Sequence, residues 1–254
     1  MSDLSHRLTT VLGTTFIGGN TVEVLRNGDE IFPAMLQAIS NVRESIDFVT
    51  FVYWQGDIAI KFANALAERA TAGIKVRVLL DAFGSYPMRG ELIDLMQKHG
   101  VEVRHFRPLA RWKIWKLDNR THRKILVCDS KIAFTGGVGI AREWEGNARN
   151  ASEWRDTHFC IKGPAVQVIH SAFLSNWSES DSSYDLKIPD YSDLATEGNV
   201  RILMLASPSS INWSSIALLF RTLIASAKHK ISIATAYFVA DEVLTKILCK
   251  AAGN

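Results

Sequence analysis

The stretch T-H-R-K-I-L-V-C-D-S-K-I-A-F-T-G-G, Thr121 to Gly137, reads as two short apolar strands joined across Asp129-Ser130. It also sets His122, Lys124 and Asp129 in the order H-x-K-x4-D, with Gly136-Gly137 six residues further on. Side chains alternate along a strand, so His122 and Lys124 face the same way. A neutral imidazole is nucleophilic and titrates near neutral pH. An ammonium binds phosphate oxygens as a point charge. Together they suit attack on a phosphodiester. The plainer reading is a solvated His-Lys pair at a strand entrance.

Working outward, strands and helices alternate. Upstream strands are expected at Thr21–Leu25, Ser45–Tyr53, Ile74–Leu80 and Val101–His105. Between them come a helix capped by Asp29 with Pro33 in its first turn, a helix over Ile58–Ala70, and one over Glu91–His99 closed by Gly100. Ser45–Tyr53 is almost continuously apolar, as in a sheet covered on both faces. Downstream follow a strand at His158–Lys162 and a helix over Ala165–Trp177. This alternation predicts a mixed α/β sandwich. Ser178–Gly198 is rich in Ser, Asp, Tyr and Pro, as linkers are.

A repeat begins after it. Ile39–Tyr53 and Ile224–Phe238 match at a constant offset of 185 residues, setting Ile46 on Ile231, Phe48 on Ile233 and Thr50 on Thr235. Each is a helix end running into an apolar strand. The expected organisation is an N-terminal extension over 1–20, a first domain over 21–180, a linker over 181–198 and the start of a second domain over 199–254. The same spacing carries His122 to a position near 307, past Asn254, so a truncated second half is expected.

The chain has 254 residues, 47% of them hydrophobic, enough for one or two cores. Cys128, Cys160 and Cys249 have no metal-ligand or C-x-x-C spacing and read as reduced thiols. No signal peptide or transmembrane segment is visible in the sequence. Charge is uneven: Arg104 to Lys124 carries +7 against +3 for the whole chain, with Trp112 and Trp115 interleaved. Such a loop suits anionic lipid headgroups. It also suits single-stranded nucleic acid, which fits least because the loop leads straight into His122. A solvated loop whose Trp rings cap the core edge is the plain alternative.

The H-x-K-x4-D-x6-G-G row resembles the signature of the phospholipase D superfamily. Asn119–Val127, Phe134–Ile140 and Glu153–His158 resemble its bacterial cardiolipin synthase branch, from about Phe16 onward. The resemblance implies a phospholipase D-like mixed-sheet sandwich with helices on both faces, here a complete first half and the start of a second. It implies two-step phosphatidyl transfer through a phosphohistidine, without metal or cofactor, at a site built from two motif copies. His122 is then the nucleophile or the general acid, and the first half usually supplies the nucleophile. Lys124 binds phosphate oxygens, and Asp129 ties down the strand turn. Gly136 and Gly137 let backbone approach the phosphate. Asp156, with Glu153 in reserve, orients the histidine. Arg123, Arg111 and Trp112 are candidate headgroup contacts. Gly139 stands where many relatives have an Asn that helps hold the phosphate.

The expected partners are an anionic phospholipid at a membrane surface and a second motif-bearing half, in cis or from another chain. The expected location is cytoplasmic, peripheral at the inner face of the membrane. Two other readings stay open. One is a single-motif homodimeric phosphodiesterase or nuclease; the other is a non-catalytic membrane-binding half-domain.

Overall fold

The computed structural model describes residues 3–108, 120–181, 188–192, 194–205, 215–235 and 237–253. Arg111, Trp112 and Trp115 lie outside the described residues, as does part of the linker. The chain divides into two compact units, residues 17–202 and residues 1–16 with 203–254.

The larger unit is one eight-stranded mixed sheet. Its strands are β1 (Ile17–Arg26), β2 (Ser45–Thr50), β3 (Lys75–Asp81), β4 (Glu102–Phe106), β5 (Ile125–Cys128), β6 (Ile132–Gly136), β7 (Thr157–Lys162) and β8 (Val200–Ile202). Their spatial order is β4-β3-β2-β5-β6-β7-β1-β8. β2, β3 and β4 run parallel, as helical crossovers require. β5 returns antiparallel to β2, and β6 and β7 continue antiparallel. The start of β5 therefore lies at the C-terminal ends of β2 and β3, the edge where open α/β sheets gather their ligands. Asp129 and Ser130 both take positive φ (53° and 54°), the turn geometry that matches hairpin twist.

Helices cover both faces. On one lie α2 (Asn27–Ser40), α3 (Asp57–Thr71) and α4 (Gly90–Lys98), closing over Ile46, Phe48, Val78, Leu80, Leu126 and Phe134. On the other lies α5 (Ala165–Ser180), whose buried residues include Val166, Ile169, Phe173 and Trp177. A buried charge network fixes α5 there. Arg77 donates two hydrogen bonds to Asp47, at 2.6 and 2.7 Å, and His170 Nε2 lies 2.6 Å from the same carboxylate. Burial alone raises the Asp47 carboxyl, but His170 and Arg77 outweigh it and hold it below its usual range.

The structure moves two expected boundaries. α2 begins at Asn27, so Asp29 lies inside its first turn rather than capping it, and Pro33 falls further along the helix. Val200–Ile202, inside the stretch expected to start the second domain, is hydrogen-bonded to β1. Asn20 holds that junction, donating to the carbonyls of Ile17 and Val200.

The smaller unit contains α1 (Asp3–Leu12), α6 (Ser215–Ser226) and α7 (Glu242–Ala252). Asp241 caps α7 by accepting from Leu244 N at 2.6 Å. Residues 231–235, the counterpart of β2, form no strand. β2 has hydrogen-bonded neighbours on both sides; 231–235 have none among the described residues. Among the described residues no helix is long and apolar enough to cross a membrane.

Candidate active site

His122 and Lys124 stand just before β5, at the sheet edge defined above. Continuing the β5–β6 register by one residue sets Lys124 opposite Gly136, and Gly136 pairs with His158 on β7. Lys124, Gly136 and His158 thus form one cross-strand row. His122 shares its face. The Lys124 ammonium lies 3.3 Å from His122 Nδ1 and 3.5 Å from Nε2, and donates to the His122 carbonyl at 3.1 Å. The imidazole packs on Phe51 with ring centroids 4.8 Å apart, and His122 remains an exposed residue.

Two basic groups this close lower each other's proton affinity. Burial, then the Lys124 charge, pulls the His122 imidazole below its ordinary value, with Asp81 opposing. A neutral ring with a free lone pair is the form a nucleophile needs. Burial pushes Lys124 down to about 8, against the nearby Asp156 carboxylate, which favours the charged form. His158 is only 2% exposed, and burial with the Lys124 charge takes it down to about 4.

Asp156 arrives immediately before β7. Its carboxylate accepts from Trp144 Nε1 at 3.0 Å and from its neighbour Thr157 N at 2.7 Å. Its charge acts on Lys124; no hydrogen bond to His122 occurs among the described residues. Gly136 and Gly137 acquire a reason that the sequence did not show. A Cβ on Gly136 would strike the His158 ring, and one on Gly137 would strike the Asp156 carboxylate. The glycines make room for site side chains. At Gly139 a Cβ would lie 2.7 Å from Val52 Cβ and 3.0 Å from the Trp144 ring, so an Asn does not fit that backbone.

Other expected site residues are elsewhere. Asp129 lies ~16 Å along the strand from Lys124. Its carboxylate accepts from the backbone N–H groups of Arg43, Glu44 and Ser45, and its own N–H donates to Ser45 O. It staples the hairpin turn to the start of β2. Arg123 projects to the opposite face and donates to Ala172 O and Asn176 Oδ1 of α5, at 2.6 and 2.7 Å. The headgroup contact expected of it gives way to a bond that holds α5. Glu153 closes its own loop, accepting from Asn147, Arg149 and Asn150. Arg111 and Trp112 lie outside the described residues.

The structure adds Asp81, the last residue of β3. It is fully buried; one oxygen accepts from Phe83 N and Gly84 N, the other from Thr121 N, so it fixes the approach to His122. Its place at the end of a parallel strand was the available signal. Among the described residues no group of three His, Cys, Asp or Glu is gathered to hold a metal.

Similarity to known proteins places the chain in a family. Residues 35–177 match the model described as the cardiolipin synthase, phospholipase D-like domain. The chain belongs to that family. It is 31% identical to cardiolipin synthase 1 of Bacillus anthracis, over 98% of this chain and 51% of that one. It is 30% identical to the major cardiolipin synthase ClsA of Bacillus subtilis, over 97% of this chain and 52% of that one. A solved phosphatidylserine synthase from Haemophilus influenzae superposes on 98% of this chain and 63% of its own, with a TM-score of 0.61 at 12% identity. That likeness supports the phospholipase D-like fold. The chain spans about half the length of the curated relatives it matches.

Proposed function

We propose that this chain carries the nucleophile half of a phosphatidyltransferase of the cardiolipin synthase type. The observation that carries the reading is the Lys124 ammonium beside a His122 ring held neutral at the open sheet edge. A His122 nitrogen attacks the phosphorus of an anionic phospholipid. The phosphorus–oxygen bond to the leaving alcohol breaks, and that oxygen takes a proton from an acid on a second motif-bearing half. An acceptor alcohol then gives its proton back to that group and attacks the phosphorus; the phosphorus–nitrogen bond breaks and His122 is released. Lys124 neutralises the equatorial oxygens as their charge grows. Asp156 keeps Lys124 protonated, and Asp81 and Phe51 hold the His122 loop and ring.

The second motif-bearing half is supplied in cis, a reading the Ile224–Phe238 repeat favours, or by a second chain. The expected site of action is the inner face of the membrane, reached from the cytoplasm. The test is incubation of the complete protein with phosphatidylglycerol vesicles. Cardiolipin and glycerol should appear, and His122→Ala should abolish both. Cleavage of DNA by a homodimer without lipid turnover would favour the single-motif phosphodiesterase. Vesicle binding without turnover, equal in His122→Ala, would favour a binding half-domain.

A further inference from the structure

The turn between β3 and α4 presents an inverted pattern. Gly84, Ser85 and Met88 are buried, while Phe83 and Tyr86 stand 53% and 80% exposed beside Pro87 and Arg89. Exposed aromatics on a loose loop would mean little. This turn is pinned at several points. Asp81 accepts from Phe83 N and Gly84 N, Ser85 Oγ donates to Phe51 O, and Trp54 Nε1 donates to Gly84 O at 2.7 Å. Gly84 lies so close to Phe51 O that no Cβ fits. Tyr86 N bonds to Phe83 O, and residues three apart in such a turn project to one side. The fold therefore holds the backbone of this turn firmly while both aromatic side chains stand exposed.

Their position gives the exposure a purpose. Phe51, which anchors the turn by its carbonyl, packs its ring at a tilt against His122. Asp81, which anchors the turn by one oxygen, holds Thr121 by the other. The aromatic pair and the nucleophile are thus mounted on the same two residues. Arg89 ends the turn, and the Arg104–Lys124 segment that leads into His122 carries +7. Exposed aromatic rings beside a cation and next to a basic stretch of sequence match the headgroup level of an anionic bilayer, where rings take the interface and cations the phosphates.

We propose that the Phe83–Arg89 turn seats the site on an anionic phospholipid bilayer, with Phe83 and Tyr86 entering at headgroup level. The proposal rests on the phospholipid reading above and names residues that reading does not use. A seated turn brings His122 to the depth of the phosphates, so that a diester in the membrane plane reaches the nucleophile without leaving the bilayer.

The test is sedimentation of the complete protein with phosphatidylglycerol vesicles, comparing wild type, F83S/Y86S and F83W/Y86W. Hydrolysis of water-soluble bis(p-nitrophenyl) phosphate and the melting temperature are read alongside. Partitioning of F83S/Y86S should weaken about tenfold or more. F83W/Y86W should bind as wild type, and melting and soluble-diester hydrolysis should not change. Wild-type binding by F83S/Y86S overturns the proposal, as does failure of the wild type to bind vesicles. A protein that binds vesicles through these rings yet cleaves no diester instead counts against the transferase reading alone.

Discussion

The ammonium of Lys124 lies across the imidazole of His122, 3.3 Å from one ring nitrogen and 3.5 Å from the other. Burial and then this charge lower the proton affinity of the imidazole, so the cation proposed to bind the phosphate also helps keep the proposed nucleophile unprotonated. The charge on Lys124 ties the state of His122 to pH, and the alkaline side of the profile should belong to the lysine. Under the proposed mechanism, turnover requires neutral His122 and charged Lys124. It should rise as pH passes the His122 value, itself below its ordinary 6.5, and fall as Lys124 deprotonates near 8. Lys124→Arg should move the alkaline limb upward, because guanidinium does not deprotonate in this range. A profile of kcat/KM against pH for both proteins checks this; an unmoved alkaline limb counts against it.

Asp129 should matter for folding and not for chemistry. It gathers three backbone N–H groups at the far end of β5. Asp129→Ala leaves those donors unpaired and should cost about 1–3 kcal/mol in urea unfolding. The kcat of the folded fraction should stay within about twofold of wild type.

His158 should make the protein acid-sensitive. Its folded value of about 4 lies below the unfolded 6.5. The unfolded chain therefore binds the extra proton, and stability is full above 6.5 and lost as pH falls toward 4. The loss should reach about 3 kcal/mol at pH 4. Urea midpoints at pH 7 and 4.5 should converge for His158→Leu relative to wild type.

Gly139→Asn, which restores the residue common in relatives, should destabilise. The added Cβ meets Val52 and Trp144, and overpacking of this kind costs about 1–3 kcal/mol. Thermal melting reads the loss; a melting temperature at or above wild type contradicts the local backbone described here.

Much of this arrangement was legible in the chain. The alternation of apolar strands with 3.6-period helices gave the mixed sheet, and the H-x-K spacing gave two side chains on one face. Asp129 was readable as a turn residue. What could not be read depends on neighbours distant in sequence. Nothing in the local pattern tells that Arg123 reaches Asn176, since only the packing of α5 brings them together. That the glycines 136 and 137 also make room for His158 and Asp156 depends on where β7 runs. Asp81 was hidden because a carboxylate ending a parallel strand reads the same whether it caps a loop or supports a site. The repeat at Ile231–Thr235 was visible, but a strand forms only when flanking strands complete its hydrogen bonds.

The central claim is that His122 becomes covalently bonded to phosphorus. The most direct test is to quench the complete protein during turnover of phosphatidylglycerol labelled in its diester phosphate, under alkaline conditions, and to map the adduct by mass spectrometry. The account predicts a phosphatidyl group on the peptide containing His122, absent in His122→Ala. Label on another residue during normal turnover would contradict it.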